Sequence, residues 1–175
     1  RIKVKSPGAP FVVAANKINT GNSGITTRFI LPILGLRADA DRPIILDCGG
    51  QMKKRPIESL IKALNNLGMN IKSLNNDDCL PLSVSGKLIG GKTEVAGLTS
   101  QFVSAFLLSL PLAKKDSVIT VKNLNERPYM EMTLEWLRGQ GISFGHYQKE
   151  DLDIFEISGG RSYHAFAKEI PVDFS

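Results

Sequence analysis

With 175 residues, 42% hydrophobic and 22% charged, the chain can bury a sizeable apolar core as one domain or two small ones. That composition excludes a disordered or low-complexity protein. No apolar run reaches the roughly 18 residues of a membrane span, which points to a soluble protein with no membrane partner. A net charge of +5 with only 7% aromatics suits small anions as well as nucleic acid and does not choose between them. Two cysteines, Cys48 and Cys79, make no disulfide framework and suit a reduced, cytoplasmic setting. Neither they nor the two histidines have zinc-ligand spacing, so no metal is expected.

Arg1 to Lys5 alternates as a strand would, and further strand is predicted up to Ile18. No charged-then-apolar leader follows Arg1, and both ends read as cut from a longer chain. A helix is predicted from about Gly24 to Ala38, with Asn22 or Ser23 as its cap. Arg42 to Cys48 is a short apolar strand ended by Gly49-Gly50. Pro56 suits the first turn of the next helix, where its missing N–H costs nothing. Ile57, Leu60, Ile61, Leu64 and Leu67 then follow at helical spacing, which predicts one buried face. Asn70–Leu74 and Leu82–Ser85 read as strands. A helix from about Ser100 to Ala113, bent by Pro111, precedes a strand at Val118–Val121. Pro128 opens a helix with Met130, Thr133, Leu134 and Leu137 facing inward, and strands follow at Ser143–Gln148 and Asp153–Ser158.

This order repeats itself. Arg55-Pro56 recurs as Arg127-Pro128, Val84-Ser85-Gly86 as Ile157-Ser158-Gly159, and Thr26-Thr27-Arg28-Phe29 as Thr99-Ser100-Gln101-Phe102, at a spacing of 72 to 73 residues. The expectation is an α/β fold of repeated βαβαββ units. The two repeats cover about 22–90 and 96–162 within a single domain of residues 1–175. Residues 1–18 and 164–175 are assigned to an incomplete third unit.

Three clusters fall at predicted helix starts, where unpaired N–H groups and a partial positive charge attract anions. Gly21-Asn22-Ser23-Gly24-Ile25-Thr26-Thr27-Arg28 reads either as a capped helix after a tight turn or as an anion loop with Arg28 one turn along. In Gly49-Gly50-Gln51-Met52-Lys53-Lys54-Arg55-Pro56, three cations precede a helix N-terminus, against the preference of its dipole. That is either a solvated loop or a conflict relieved by an anionic ligand, with Arg55 best suited to grip carboxylate or phosphate. Thr99-Ser100-Gln101 offers two hydroxyls and an amide. Capping accounts for Thr99 or Ser100 but not readily for Gln101. No nucleophile–base pair, paired carboxylates or Walker loop is present.

Taken together, the clusters resemble the enolpyruvyl transferases, specifically the 5-enolpyruvylshikimate-3-phosphate (EPSP) synthases. Gly21 to Arg28 is similar to that family's GNAGTxxR loop, Met52-Lys-Lys-Arg-Pro-Ile57 to its M-[KR]-x-R-P segment, and Thr99-Ser-Gln-Phe102 to its SSQ[YF] motif. Pro128 to Leu134 is similar to its PYxxxTL helix, and Val172-Asp-Phe-Ser175 to its GDxSSA segment. The resemblance implies one domain of a two-domain fold, each domain holding three βαβαββ units in pseudo-threefold array. It implies an enolpyruvyl transfer from phosphoenolpyruvate to the 5-hydroxyl of shikimate 3-phosphate, with release of phosphate and no cofactor. The acid–base residues of the reaction belong to the family's second domain, so this stretch alone is expected to bind without turnover.

By the same resemblance, Gly24, Arg55 and Gln101 contact phosphoenolpyruvate, and Thr99, Ser100, Gln101 and Tyr129 hold shikimate 3-phosphate. Asn22, Ile25, Arg28 and Arg127 shape the site. Three positions depart from the family pattern. Ile25 stands where Thr is usual and Phe29 where many bacterial members have Pro, which implies lower sensitivity to the inhibitor glyphosate. Glu126 stands at a phosphate-binding Ser, so either Arg127 compensates its charge or its side chain points away. Two related enzyme classes give competing readings. A UDP-N-acetylglucosamine enolpyruvyl transferase would carry a reactive Cys where this chain has Gly50. An RNA terminal-phosphate cyclase would use a nucleophilic His, and His146 and His164 lie in no such motif.

Overall fold

A computed structural model describes residues 2–55 and 57–169. Two units of identical order follow one another. The first is β1 (Lys17–Asn19), α1 (Gly24–Ile33), β2 (Ile44–Asp47), α2 (Glu58–Asn66), β3 (Met69–Ser73) and β4 (Leu82–Gly86). The second is β5 (Lys92–Ala96), α3 (Ser100–Ser109), β6 (Ser117–Lys122), α4 (Arg127–Gly139), β7 (Phe144–Lys149) and β8 (Leu152–Ile157). Each unit makes a four-stranded sheet, ordered β1-β2-β4-β3 and β5-β6-β8-β7. In both, the first pair is parallel and the others antiparallel.

Both units therefore open one strand earlier than the sequence repeat suggests. Lys17–Asn19, of which Lys17 and Ile18 are expected in a third unit, is the edge strand of the first sheet, with Ile18 opposite Leu46. Lys92–Ala96 plays the same part in the second, with Val95 opposite Val121. These edge strands carry charged residues on their outer side, as edges do, and so lack a strong apolar signature. The alternation at Ile2 and Val4 forms no strand among the described residues, and both side chains are almost fully exposed. Residues 165–169 are exposed and irregular, and the rest of that predicted segment lies outside the described residues, as does Pro56.

The helices obey their apolar spacing. Ile57, Leu60, Ile61, Leu64 and Leu67 are all buried. In α4, Met130, Thr133, Leu134 and Leu137 form the buried face. Both α1 and α3 end in a 3-10 turn, Leu34–Leu36 and Leu110–Leu112, with Pro111 inside the second. Helix α1 packs on α3, α3 on α4, and α2 on β3 and β5, so the two units share one core. Ser104 on α3 shares a 2.8 Å hydrogen bond with Thr133 on α4 inside that core, and the Ser59 hydroxyl accepts the Ala96 N–H at 2.9 Å. No described helix is long and apolar enough to cross a membrane.

Candidate functional site

In each unit the two loops that leave the parallel strands at their C-terminal ends lie side by side. Such a crevice is where open α/β sheets collect ligands. In the first unit the Thr20 N–H donates to Asp47 O at 3.0 Å, and the Gly49 N–H donates to Gly21 O at 2.6 Å. The equivalent bonds in the second run from the Gly97 N–H to Lys122 O at 2.7 Å and from the Asn125 N–H to Gly97 O at 3.0 Å.

Ser23, rather than Asn22, caps α1. Its hydroxyl accepts the Thr26 N–H at 3.2 Å. Thr27 is fully buried and shares a 2.6 Å bond with Thr20, so the loop is pinned from below. Asn22 lies against Gly49 so closely that a Cβ there would collide with its side chain. A side chain at 49 would therefore force Asn22 to turn away. Gly24 opens α1 above the buried Met52, and a Cβ on it would stand 3.4 Å from Met52 Sδ and 3.6 Å from Gln101 Oε1. Ile25 follows it, more than half exposed.

The three cations after Met52 behave differently from one another. Lys53 pairs with Asp47 at 3.3 Å, and Lys17 pairs with the same carboxylate at 2.9 Å. The Lys17 hydrogen bond, aided by the Cys48 N–H and Lys53, holds the Asp47 carboxyl at about 2, despite burial, which works the other way. Part of the predicted conflict is therefore settled inside the protein. Arg55 is exposed and makes no ion pair or side-chain hydrogen bond among the described residues.

In the second unit Thr99 caps α3 by accepting the Gln101 N–H at 3.3 Å, and Ser100 behind it is buried. The Glu126 carboxylate sits on this helix start. Its Oε2 accepts the Ser100 N–H at 3.1 Å, the Ser100 hydroxyl at 2.9 Å and the Thr99 hydroxyl at 3.3 Å. Arg127 is held elsewhere. It donates two parallel bonds, at 2.9 and 2.7 Å, to Asp153, which is fully buried and also bonds His146 at 2.8 Å. Neither expectation for Glu126 survives: Arg127 does not compensate it, and its side chain points into the cluster. Tyr129, on the first turn of α4, is more than half exposed.

Arg28 joins the two clusters. Its Nη1 donates to Gln101 Oε1 at 2.6 Å, and its guanidinium lies 5.3 Å from the Phe102 ring centroid. This gives Gln101 the role that capping could not. Burial lowers the Arg28 pKa, the nearby Arg55 charge adds to that, and Glu126 opposes it. Arg28 therefore feels both Arg55 and Glu126. Gly24, Arg28, Thr99, Ser100, Gln101 and Glu126 are linked by contacts that cross from one unit to the other, and Arg55 is near enough for its charge to act on Arg28. Arg127 is diverted from it. The tie of Asp47 to Lys17 and Lys53, and the Arg127–Asp153–His146 group, carried no local sequence signal.

The sequence model of EPSP synthase (3-phosphoshikimate 1-carboxyvinyltransferase) matches residues 1–175. This chain belongs to the EPSP synthase family. The 3-phosphoshikimate 1-carboxyvinyltransferase of Acetivibrio thermocellus is 40% identical over 163 residues, covering 93% of this chain and 37% of that protein. Its namesake in Ruminiclostridium cellulolyticum is 37% identical over 174 residues, covering 98% and 39%. EPSP synthase from Acinetobacter baumannii has the same fold at 21% identity, with a TM-score of 0.67 over 87% of this chain and 32% of that one. The chain thus spans under two fifths of the length of these curated EPSP synthase relatives. Nothing favours the competing classes. Gly50 offers no thiol, Cys48 is buried with its pKa raised by that burial, and His146 is bound to Asp153 and stacked on Phe155.

Proposed function

We propose that this chain forms the substrate-binding half of an enzyme that joins phosphoenolpyruvate and shikimate 3-phosphate. The observation that carries this reading is the Arg28–Gln101 bond, which brings an anion loop from each unit to one surface. Arg55, unpaired among the described residues, grips an acidic group of phosphoenolpyruvate, and the Gly24 amide at the start of α1 supplies a second contact. Thr99, Ser100 and Gln101 hold shikimate 3-phosphate, with Gln101 reaching both substrates. Tyr129 packs beside the shikimate ring, and Asn22, Ile25 and Arg28 shape the phosphoenolpyruvate side.

The 5-hydroxyl oxygen adds to the enolpyruvyl carbon as a proton goes to the methylene carbon, giving a tetrahedral adduct. Loss of phosphate and of one methyl proton restores the enol ether. These residues contribute by fixing both acids in register and by facing the departing phosphate with positive charge, which are large terms in catalysis. In this reading the proton-transfer groups lie in a second domain beyond residues 1–175, and the protein is a cytoplasmic one.

The test is phosphate release by the intact protein. Release from phosphoenolpyruvate is expected only when shikimate 3-phosphate is present, with a fall of about tenfold in kcat/KM for Gln101→Ala, the loss of one or two hydrogen bonds to charged groups. Release driven by UDP-N-acetylglucosamine instead would overturn the assignment.

A further inference from the structure

We propose that Glu126 is an internal anion occupying the phosphate subsite at the start of α3, and that a substrate phosphate must displace it to bind. This rests on the function proposed above, which assigns Thr99 and Ser100 to shikimate 3-phosphate. Three donors converge on the single oxygen Oε2: the Ser100 amide, the Ser100 hydroxyl and the Thr99 hydroxyl. A phosphate oxygen would ask for the same three. The carboxylate and the phosphate therefore compete for one set of donors rather than occupying adjacent places.

Two further features mark the spot as an anion site. Arg28 beside it is nine-tenths buried, and its Nε has no partner among the described residues. A buried guanidinium with an idle N–H is a standing cost that an incoming anion can relieve. Glu126 itself sits in the left-handed region, at φ 55° and ψ 43°. A non-glycine residue adopts that geometry when its surroundings hold it there. The anchors are the Ser100 and Thr99 bonds on one side and the Arg127–Asp153 clamp on the next residue. The Ser100 amide and hydroxyl also keep the Glu126 carboxyl below the usual carboxylate range, with Arg28 adding to the effect. Glu126 is thus charged at neutral pH and held in place.

Arg127, the next residue, is committed to Asp153 and so does not follow the carboxylate to neutralise it when phosphate arrives. The enzyme is expected to bind its phosphorylated substrate more weakly than it would with a small neutral residue at position 126. Discrimination between shikimate 3-phosphate and unphosphorylated shikimate is correspondingly blunted.

Calorimetric titration of the intact protein with each of those two compounds tests this. Glu126→Gln keeps the length and an acceptor oxygen but removes the charge, and Glu126→Ser withdraws the competitor altogether. Shikimate 3-phosphate affinity is expected to rise a few-fold in the first variant and about tenfold in the second, as loss of a charged hydrogen-bond competitor implies. Shikimate affinity should stay as in the parent. If the parent binds shikimate 3-phosphate and neither variant binds it more tightly, the inference is wrong while the proposed function stands. If all three proteins ignore shikimate 3-phosphate, both are wrong.

Discussion

Arg55 and Arg127 stand at equivalent places in the sequence repeat, one just before α2 and the other the first residue of α4, yet Arg55 is exposed without an internal partner among the described residues and Arg127 is built into the scaffold. The reason lies in the last strand of each unit. In the second unit, Asp153 sits opposite Val121 at the start of β8 and takes the Arg127 fork. By the same repeat spacing, the first unit places Leu80 there, buried and apolar. With no carboxylate to receive it, Arg55 has no internal partner among the described residues. The second unit also turns Glu126 toward its own helix start, whereas the equivalent position of the first unit, one before Arg55, is Lys54. The two units are similar cradles: one leaves its cation unpaired among the described residues, and the other commits its cation to Asp153 and sets Glu126 on its own helix start.

The most damaging test of that contrast is Arg127→Ala. It strands a fully buried Asp153 with only His146 as partner, so unfolding by urea should show a loss of about 3 kcal/mol. Asp153→Leu, which copies the first unit, should cost less, because Arg127 is partly exposed and can turn to water. Equal costs would mean that the pair matters for packing alone. Next in size is Arg55→Ala. On the function proposed above, the intact protein should lose about a hundredfold in kcat/KM for phosphoenolpyruvate, as expected when a charge-stabilising group is removed. Its unfolding midpoint should not move, since an exposed residue outside any bond network rarely affects stability by more than about 0.5 kcal/mol. A stability loss rivalling that of Arg127→Ala would erase the distinction.

The smallest effect is in acid. Burial tends to raise the Asp153 pKa, and the Arg127 and His146 bonds more than offset it, so the carboxyl titrates below the usual range. Asp47 sits at about 2 for a similar reason. A depressed folded-state pKa stabilises the protein above the ordinary aspartate value near 4 and loses that contribution as pH falls through the folded value. Stability should thus decline between about pH 4 and pH 2. The decline should be shallower in Asp153→Leu.

The repeated units were legible because Arg-Pro and Ser-Gly pairs mark helix starts and strand ends, and because α2 and α4 carry clean apolar spacing. Their first strands were not, because β1 and β5 are short edge strands with charged outer faces. The alternation at Ile2 and Val4 misled in the opposite sense, since period-two patterning needs a neighbouring strand to become a strand. At the site, Gly24, Arg55, Thr99, Ser100 and Gln101 could be picked out from their place at helix starts. Pairings at long range could not. That Lys53 is spent on Asp47, that Arg127 is spent on Asp153, and that Glu126 turns inward all depend on residues about 6 to 27 positions away meeting through the sheet.

Arg28 and Gln101 occupy matching positions of the two units and bond to each other, so the internal pseudosymmetry closes on itself at the point where the cradles meet. A join of that kind works like a rivet. The distance between the two halves is set by the protein itself, so on the function proposed above two small acids landing there would not spend binding energy on assembling it.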